Sequence, residues 1–460
     1  MPYYIKIFFL ILLFSFLLLE SCKKPETLTE NDYNEWLSGG SQTVFDKSSS
    51  AFKHEFPFLR EDKIEIHEIG DALFEAQFIS APSVIRPGLG PVFNSNACSS
   101  CHIADGRGKP IIANETSASL LFRISIPGSN EHGGPNPVPG FGEQLQTNAI
   151  YGTQAESGVT TTYTNQFYFF DDSTNYELQI PTYTINNSYI SMPSDIMISP
   201  RLSRPVFGLG LLESITEEDI LDHADEYDAN SDGISGKANY VWDIQEQKLV
   251  LGRFGWKAGQ PSIIQQAALA FNQDMGITNF LFPNENCYDQ TQYDKLNDEY
   301  EISDSLLYAI RLYLRTLAVP ARRNADDETV LKGKQIFTQA RCYMCHRPMS
   351  KTKVNVAFPE LSNQTIFPYT DLLLHDMGPS LADNRSDFLA SGEEWRTPPL
   401  WGIGLTESVN GHTYFLHDGR ARSLIEAVMW HGGEAESAKI FVKALSQADR
   451  DALIKFLESL

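Results

Sequence analysis

Two pentapeptides concentrate the chemistry of this chain: Cys98-Ser99-Ser100-Cys101-His102 and Cys342-Tyr343-Met344-Cys345-His346. Two thiols three positions apart, followed at once by an imidazole, form the attachment signature of haem c. The thiols add across the two vinyl groups of the porphyrin, and the adjacent His then lies under the iron as its proximal ligand. A Cys-x-x-Cys without the His would fit a thioredoxin-like pair or half a zinc site; two copies that each end in His fit neither. The spacing predicts two covalent haems, held by Cys98, Cys101 and His102 and by Cys342, Cys345 and His346. Haem c is attached outside the cytoplasm, so export is expected.

Each iron has a sixth position. A strong protein ligand there makes the haem an electron carrier, and an open position admits peroxide or another small oxidant. After the second motif the candidates are His375, Met377, His412, His417, Met429 and His431. His431 follows Leu424 by seven and Val428 by three positions, on the apolar face of its expected helix; His431 and then Met377 are the leading ligands, the alternative being buried side chains that pack. After the first motif only His132, Met192, Met197 and His223 are candidates, which favours an open first haem. Peroxide chemistry also needs a group that moves a proton between the two oxygens. Glu143, Gln144 and Glu213 are candidates, with solvated or capping roles as the alternative. Trp256, Trp242 and Trp401 are candidate electron relays or packing residues. Asp228-Ala229-Asn230-Ser231-Asp232-Gly233 has the oxygen ligands and the Gly of a calcium loop, with Asp228, Asn230 and Asp232 as ligands. Its twelfth position is Asn239 rather than Glu, and an Asx-rich turn is the other reading.

Elements must bring these residues together. The two motifs are 244 residues apart, which suggests one haem per domain. The stretch Pro205–Ser214, PVFGLGLLES, echoes Pro399–Ser408, PLWGIGLTES, and each copy follows its own Cys-x-x-Cys-His, as in an internal duplication. Leu306, Leu307, Ile310, Leu314 and Leu317 predict a helix ending at Pro320, and a charged stretch follows, so a boundary falls near 318–328. Ser423 and Ser446 have the pattern of helix N-caps. Thr160–Tyr163 and Thr182–Ile185 predict a β-hairpin within 150–190. The expected fold is mainly α: two cytochrome c-like haem domains, 61–320 with insertions and 328–460, with a small hairpin insert in the first.

The N-terminus reads as a targeting segment. Lys6 precedes an apolar run of about 13 residues, short of the roughly 20 that span a membrane. It ends at Leu19-Glu20-Ser21-Cys22, which resembles a bacterial lipoprotein box with Cys22 lipidated; the alternative is an ordinary signal peptide with an incidental Cys. Residues 1–21 are then the signal and 22–60 a tether. With Cys22 on lipid and four cysteines on haem, Cys287 is left alone as a structural thiol. The 460 residues are 42% hydrophobic and 21% charged, with 36 Lys+Arg against 59 Asp+Glu and a net charge of −23. This composition is globular, and its surface repels nucleic-acid phosphates.

Trp395-Arg396-Thr397-Pro398-Pro399-Leu400-Trp401-Gly402, Phe415-Leu416-His417-Asp418-Gly419-Arg420-Ala421 and Ser423-Leu424-Ile425-Glu426-Ala427-Val428 resemble the bacterial di-haem cytochrome c peroxidase superfamily. Together with 252–258, 368–378 and 430–435, the stretch from about 65 to 460 is most similar to its di-haem oxidoreductase family of peroxidases, also labelled thiol oxidoreductases. In the better-known peroxidases a Met ligand follows the matching Leu-x-Glu-x-Val helix by three residues; here that place is His431. Related enzymes carry a calcium ion between domains. The resemblance implies reduction of hydrogen peroxide, with electrons from a small cytochrome or cupredoxin. Other outcomes are a non-catalytic di-haem electron carrier and an enzyme that oxidises residues of a partner protein. The expected setting is the cell envelope, facing the periplasm or the cell exterior, with the lipid as the only membrane contact.

Overall fold

Leu307, Ile310 and Leu314 repeat at helical spacing, and the chain over them is a helix, Asp304–Thr316, whose buried face they supply. Ser303 caps it, its side chain accepting from Leu306 N, which satisfies one of the free N–H groups of the first turn. The computed structural model describes residues 35–83, 85–112, 119–295 and 299–460. Cys22, the signal segment and the first part of the expected tether lie outside the described residues. No helix among the described residues is long and apolar enough to cross a membrane. Residues Trp36–Leu460 form one compact unit.

The longer helices are α1 (Glu61–Phe74), α2 (Ile263–Met275), α3 (Asp304–Thr316), α4 (Glu328–Gln339), the short α5 (Leu424–Met429), α6 (Glu436–Lys443) and α7 (Gln447–Ser459). The longer strands are β1 (Leu120–Ser129), β2 (Gly158–Phe169), β3 (Asn175–Asn186) and β4 (Met197–Leu202). Ser423 and Ser446 do cap α5 and α7.

Among the described residues the fold is not mainly α: 28% are helical and 20% are strand, with many small sheets. Much of the strand sits in the first half. β1 pairs antiparallel with β4, from Leu120↔Leu202 to Ser125↔Met197. The hairpin expected within 150–190 is long: β2 and β3 pair from Gly158↔Asn186 to Phe169↔Asn175. Its end reaches the second half. Phe170 and Leu178 are buried in the core formed by Val330, Phe337, Leu453 and Phe456, and Arg450 of α7 bonds Asp172 at 2.7 Å and Thr174 at 2.8 Å. Residues 36–60, expected as tether, are packed instead. Thr43–Val44 pair with Val319–Pro320, and Phe52 and Phe56 are buried in the large core. These aromatic side chains need cover from water, which a solvated tether does not give.

The repeated Gly-rich element has the same geometry twice. Gly208 N donates to Leu317 O at 3.0 Å, and Gly402 N to Leu460 O at 2.9 Å. Both glycines lie in the left-handed region, at φ 70° and 71°, where a side chain is strained. Gly210 and Gly404 then abut the carbonyls of Arg315 on α3 and Glu458 on α7. The helix crossings repeat as well. Gly70 of α1 lies against Ala309 and Tyr313 of α3, and Gly333 of α4 against Ala452 and Phe456 of α7. Each Cys-x-x-Cys-His segment thus sits beside its own pair of crossed helices, tied down by its own Gly-rich turn.

Candidate functional site: two cavities at the Cys-x-x-Cys-His segments

Both segments fold as single tight turns. His102 N donates to Cys98 O, and His346 N to Cys342 O, each at 3.0 Å. His102 Nδ1 lies 2.7 Å from the Arg204 carbonyl, and His346 Nδ1 3.2 Å from that of Tyr369. Such a bond puts the ring proton on Nδ1 and leaves the Nε2 lone pair free. Burial lowers both imidazoles to about 4, so they stay neutral, the form that ligates a metal. Cys98, Cys101 and Cys342 are pushed up to about 12 by burial.

Cys342, Cys345 and His346 stand on the wall of a cavity with about 1420 Å³ of free space, its open mouth included. His431, Met377, His417 and His375 share that wall. Helix α5 ends before His431, whose N–H donates to Val428 O at 3.1 Å. Its Nδ1 lies 2.7 Å from Ala427 O, so Nε2 is its free nitrogen. His417 is 4% exposed. It stacks on Trp395 at 3.9 Å between ring centroids, its Nε2 has no hydrogen-bond partner, and burial lowers it to about 4. His375 is different. Its Nε2 lies 2.9 Å from Asp371 and its Nδ1 2.6 Å from Glu434. Burial opposes its charge, yet Asp371 holds its pKa well above the usual value. An imidazolium clamped by two carboxylates has no lone pair for iron. His412 and Met429 also drop out. His412 lies beside Arg107 O and Tyr414 N, and Met429 packs in the core.

Cys98, Cys101 and His102 stand on a second cavity, with about 2010 Å³ of free space, mouth included. Of the four first-half candidates only His132 lines it, and its ring lies flat on Trp242 at 3.9 Å. Met192, Met197 and His223 are elsewhere. Glu143 lines the cavity; burial raises its pKa, and Arg123 and Arg385 act against that rise. Gln144 and Glu213 do not line it. Gln144 ties Asn94 at 2.8 Å to Asp274 at 2.7 Å. Glu213 accepts from Ile263 N at 2.9 Å, at the start of α2, and from Arg315 Nε at 2.6 Å. Glu213, expected to move a proton, thus lies off this cavity, and its carboxylate joins two helices.

Sequence reasoning missed the polar wall of this cavity, Arg123, Arg201, Arg385 and Asp387. Arg201 lies 2.9 Å and Arg385 3.4 Å from Asp387. The signal was present in β1. Leu120, Phe122 and Ile124 face a small core while Leu121 and Arg123 alternate onto the cavity, the period-two pattern of a half-buried strand.

The profile of the family described as "Di-haem oxidoreductase, putative peroxidase" matches residues 33–460. The chain belongs to this di-haem oxidoreductase family. No curated protein matches it. Among solved structures it is similar to hydrazine synthase of Kuenenia stuttgartiensis, at 15% identity and a TM-score of 0.33, over 88% of this chain and 95% of that one. It is also similar to a MauG-like protein associated with microbial copper homeostasis, at 17% identity and a TM-score of 0.28, over 54% of this chain and 89% of that one. Both likenesses are too distant to carry an inference.

The family brings haem cofactors, and the residues of this di-haem oxidoreductase fit them: each cavity has a neutral imidazole with a free Nε2 beside two thiols. Trp256 lines both cavities, with Nε1 donating to Leu202 O at 2.7 Å. Trp242 lines only the first, and Trp401 neither. The expected calcium loop closes on itself. Asp228 accepts from Asp232 N at 2.9 Å and Asn230 Oδ1 from the same N–H at 2.9 Å. Asp232 accepts from Ile234 N and from Arg341, both at 3.0 Å. Asn239 is buried against the carbonyls of Lys257 and Asp387. No group of three or more His, Cys, Asp or Glu among the described residues could hold a metal ion. The loop's side chains form Asx-type turns, and Arg341 ties it to the second Cys-x-x-Cys-His segment. Cys287 is buried, with Sγ 3.4 Å from Glu285.

Proposed function

We propose that this di-haem oxidoreductase is an exported enzyme with two covalent haems c that reduces hydrogen peroxide using electrons from a small redox protein. Cys98, Cys101 and His102 would hold one haem, and Cys342, Cys345 and His346 the other. When bound, each haem supplies an iron that changes oxidation state, and an open sixth position lets a small oxidant bind.

The observation that carries this reading is the contrast between the cavities. The second holds His431, with a free Nε2, and His417, whose Nε2 has no hydrogen bond and lies 3.8 Å from Asp418, in an otherwise mainly apolar wall. There His346 and His431 would hold the haem iron from the protein side, as suits an electron-transferring site. In the first, the one lining imidazole besides His102 among the described residues is His132, whose Nε2 lies 3.7 Å from Glu131, and the wall also carries Glu143, Arg123 and Arg385. It suits a site that binds oxidant. Hydrogen peroxide takes up two electrons and two protons to give two waters. Glu143, partly shielded from water, is placed to carry a proton from one peroxide oxygen to the other. Arg123 and Arg385 favour negative charge on the departing oxygen. Trp256 offers the shared wall through which electrons pass from the second site to the first.

The acidic chain suits a basic donor, a small cytochrome or cupredoxin. Cys22 would carry the lipid that holds the enzyme to the cell envelope, facing the periplasm or exterior. The test is electron paramagnetic resonance of the ferric protein with and without peroxide, beside peroxide-dependent oxidation of a reduced cytochrome. A high-spin signal that peroxide abolishes, with turnover, is expected. Two low-spin haems in every redox state and no turnover would make the protein an electron carrier. A high-spin signal without cytochrome turnover would favour oxidation of a partner protein.

A further inference from the structure

Beside Trp256, which lines both cavities, the charge is unbalanced. Arg107 lies over the Trp256 ring, with Cζ 5.8 Å from its centroid. Arg396 donates its backbone N–H to the Trp256 carbonyl at 2.8 Å. Both arginines are buried. Both line the cavity of the second Cys-x-x-Cys-His segment and a smaller space beside it, of about 580 Å³, that shares walls with both cavities. Neither pairs with a carboxylate among the described residues. Arg107 offers Nη1 to the Leu416 carbonyl at 3.4 Å, and its Nε has no partner. Arg396 gives Nε to the Gly255 carbonyl at 3.1 Å.

Several other buried cations here have acids. Lys257 pairs with Asp383, Arg420 with Asp418 and Arg450 with Asp172. A buried guanidinium without an anion is costly and calls for one. Burial lowers Arg107 to about 10 and Arg396 to about 9, so both remain cations at neutral pH.

We propose that Arg107 and Arg396 bind the carboxylates of the haem in the second cavity and so turn its carboxylate edge toward Trp256 and the first cavity. The assignment rests on the di-haem c reading above. A guanidinium presents paired N–H donors that match a carboxylate. Thioethers at Cys342 and Cys345 would fix the vinyl side of the porphyrin, and the carboxylates leave from its other side. Arg107 stands five residues after His102, so the segment that holds the first haem also supplies a cation to the second. That cation favours the reduced, less positive state of the second haem.

The test uses the holoprotein grown with labelled δ-aminolevulinate, so that the haem carboxylates carry carbon-13, read by infrared difference against unlabelled protein. Two haems per chain are first counted by pyridine haemochrome. In the wild type at pH 7 the labelled bands should be those of ionised carboxylates. Arg107→Gln and Arg396→Gln should each shift them and lower the midpoint potential of the second haem, while Arg107→Lys and Arg396→Lys keep them ionised. Unmoved bands and potential in both Gln variants, with two haems present, would overturn the assignment. A shift in only one would remove the other arginine. Should the Gln variants fail to hold haem, the wild type decides: a labelled protonated-acid band at pH 7 overturns the assignment. Fewer than two haems in the wild type would overturn the di-haem c reading itself, and this assignment with it.

Discussion

Glu143 and Glu213 are both half-hidden carboxylates, and their partners separate them. Glu213 has a partner for each oxygen, Ile263 N and Arg315 Nε, so its work is structural. Glu213→Ala should lower stability by about 1–3 kcal/mol, the cost of a lost charge-assisted bond, and leave peroxide turnover per folded haem unchanged; denaturant melts beside steady-state assays check both. Glu143 lies on the first cavity with a raised pKa. Glu143→Gln should slow peroxide turnover by about 10²–10⁴-fold, the usual worth of a positioned proton carrier, with the haem spectrum intact. Full activity would remove Glu143 from the reaction. The same contrast of free and occupied atoms ranks the histidines. His431→Ala should turn the second haem from low-spin to high-spin in the ferric electron paramagnetic resonance spectrum. If the low-spin signal persists, His417 is the next ligand to test, because it lines the same cavity and its Nε2 makes no hydrogen bond.

At the scale of elements, legibility followed periodicity and punctuation. The stripe of α3 and the serines that cap α5 and α7 were readable, because each is a local pattern with a local cause. The paired Gly-rich turns were readable as an echo, and the structure gives the echo a reason. Each copy sets a left-handed Gly and a second Gly against a helix backbone, α3 in one half and α7 in the other. The overall class was misread because β1 and β4 were not read as strands and the hairpin, expected over two four-residue stretches, runs to twelve residues in each strand; the two-residue strands, as at Val92–Phe93 and Ser350–Lys351, carry no alternation to read. The wall of Arg123, Arg201, Arg385 and Asp387 was hidden for another reason: it joins residues from β1, β4 and the 380s, which only the tertiary fold brings together. The helix crossings make a direct prediction. A Cβ on Gly333 would press on the Ala452 carbonyl and the Phe456 side chain. Gly333→Ala should therefore destabilise the protein by at least about 1–3 kcal/mol through overpacking, although alanine is the better helix former. A melt showing equal or greater stability would mean that α4 and α7 can separate without loss.

At the scale of the molecule, the dominant quantity is the net charge of −23. A chain so acidic attracts a basic partner over distances set by the ionic atmosphere, about 30 Å at 0.01 M salt and about 8 Å at 0.15 M. Long-range attraction acts on encounter and leaves the bound pair much as it was. If the electron donor is a basic cytochrome, kcat/KM for the donor should fall steeply as salt rises from 0.01 M to 0.15 M, while kcat at saturating donor changes little. An acidic donor should show the opposite trend, because salt then relieves repulsion. The dependence on peroxide supplies the control. Peroxide is uncharged, so its own kcat/KM should be nearly flat over the same range. A fall in both constants would point to a salt effect on the folded enzyme. Flat donor kinetics with a basic cytochrome would show that the acidic charge lies away from the docking face, and would leave the choice of partner to shape and apolar contact.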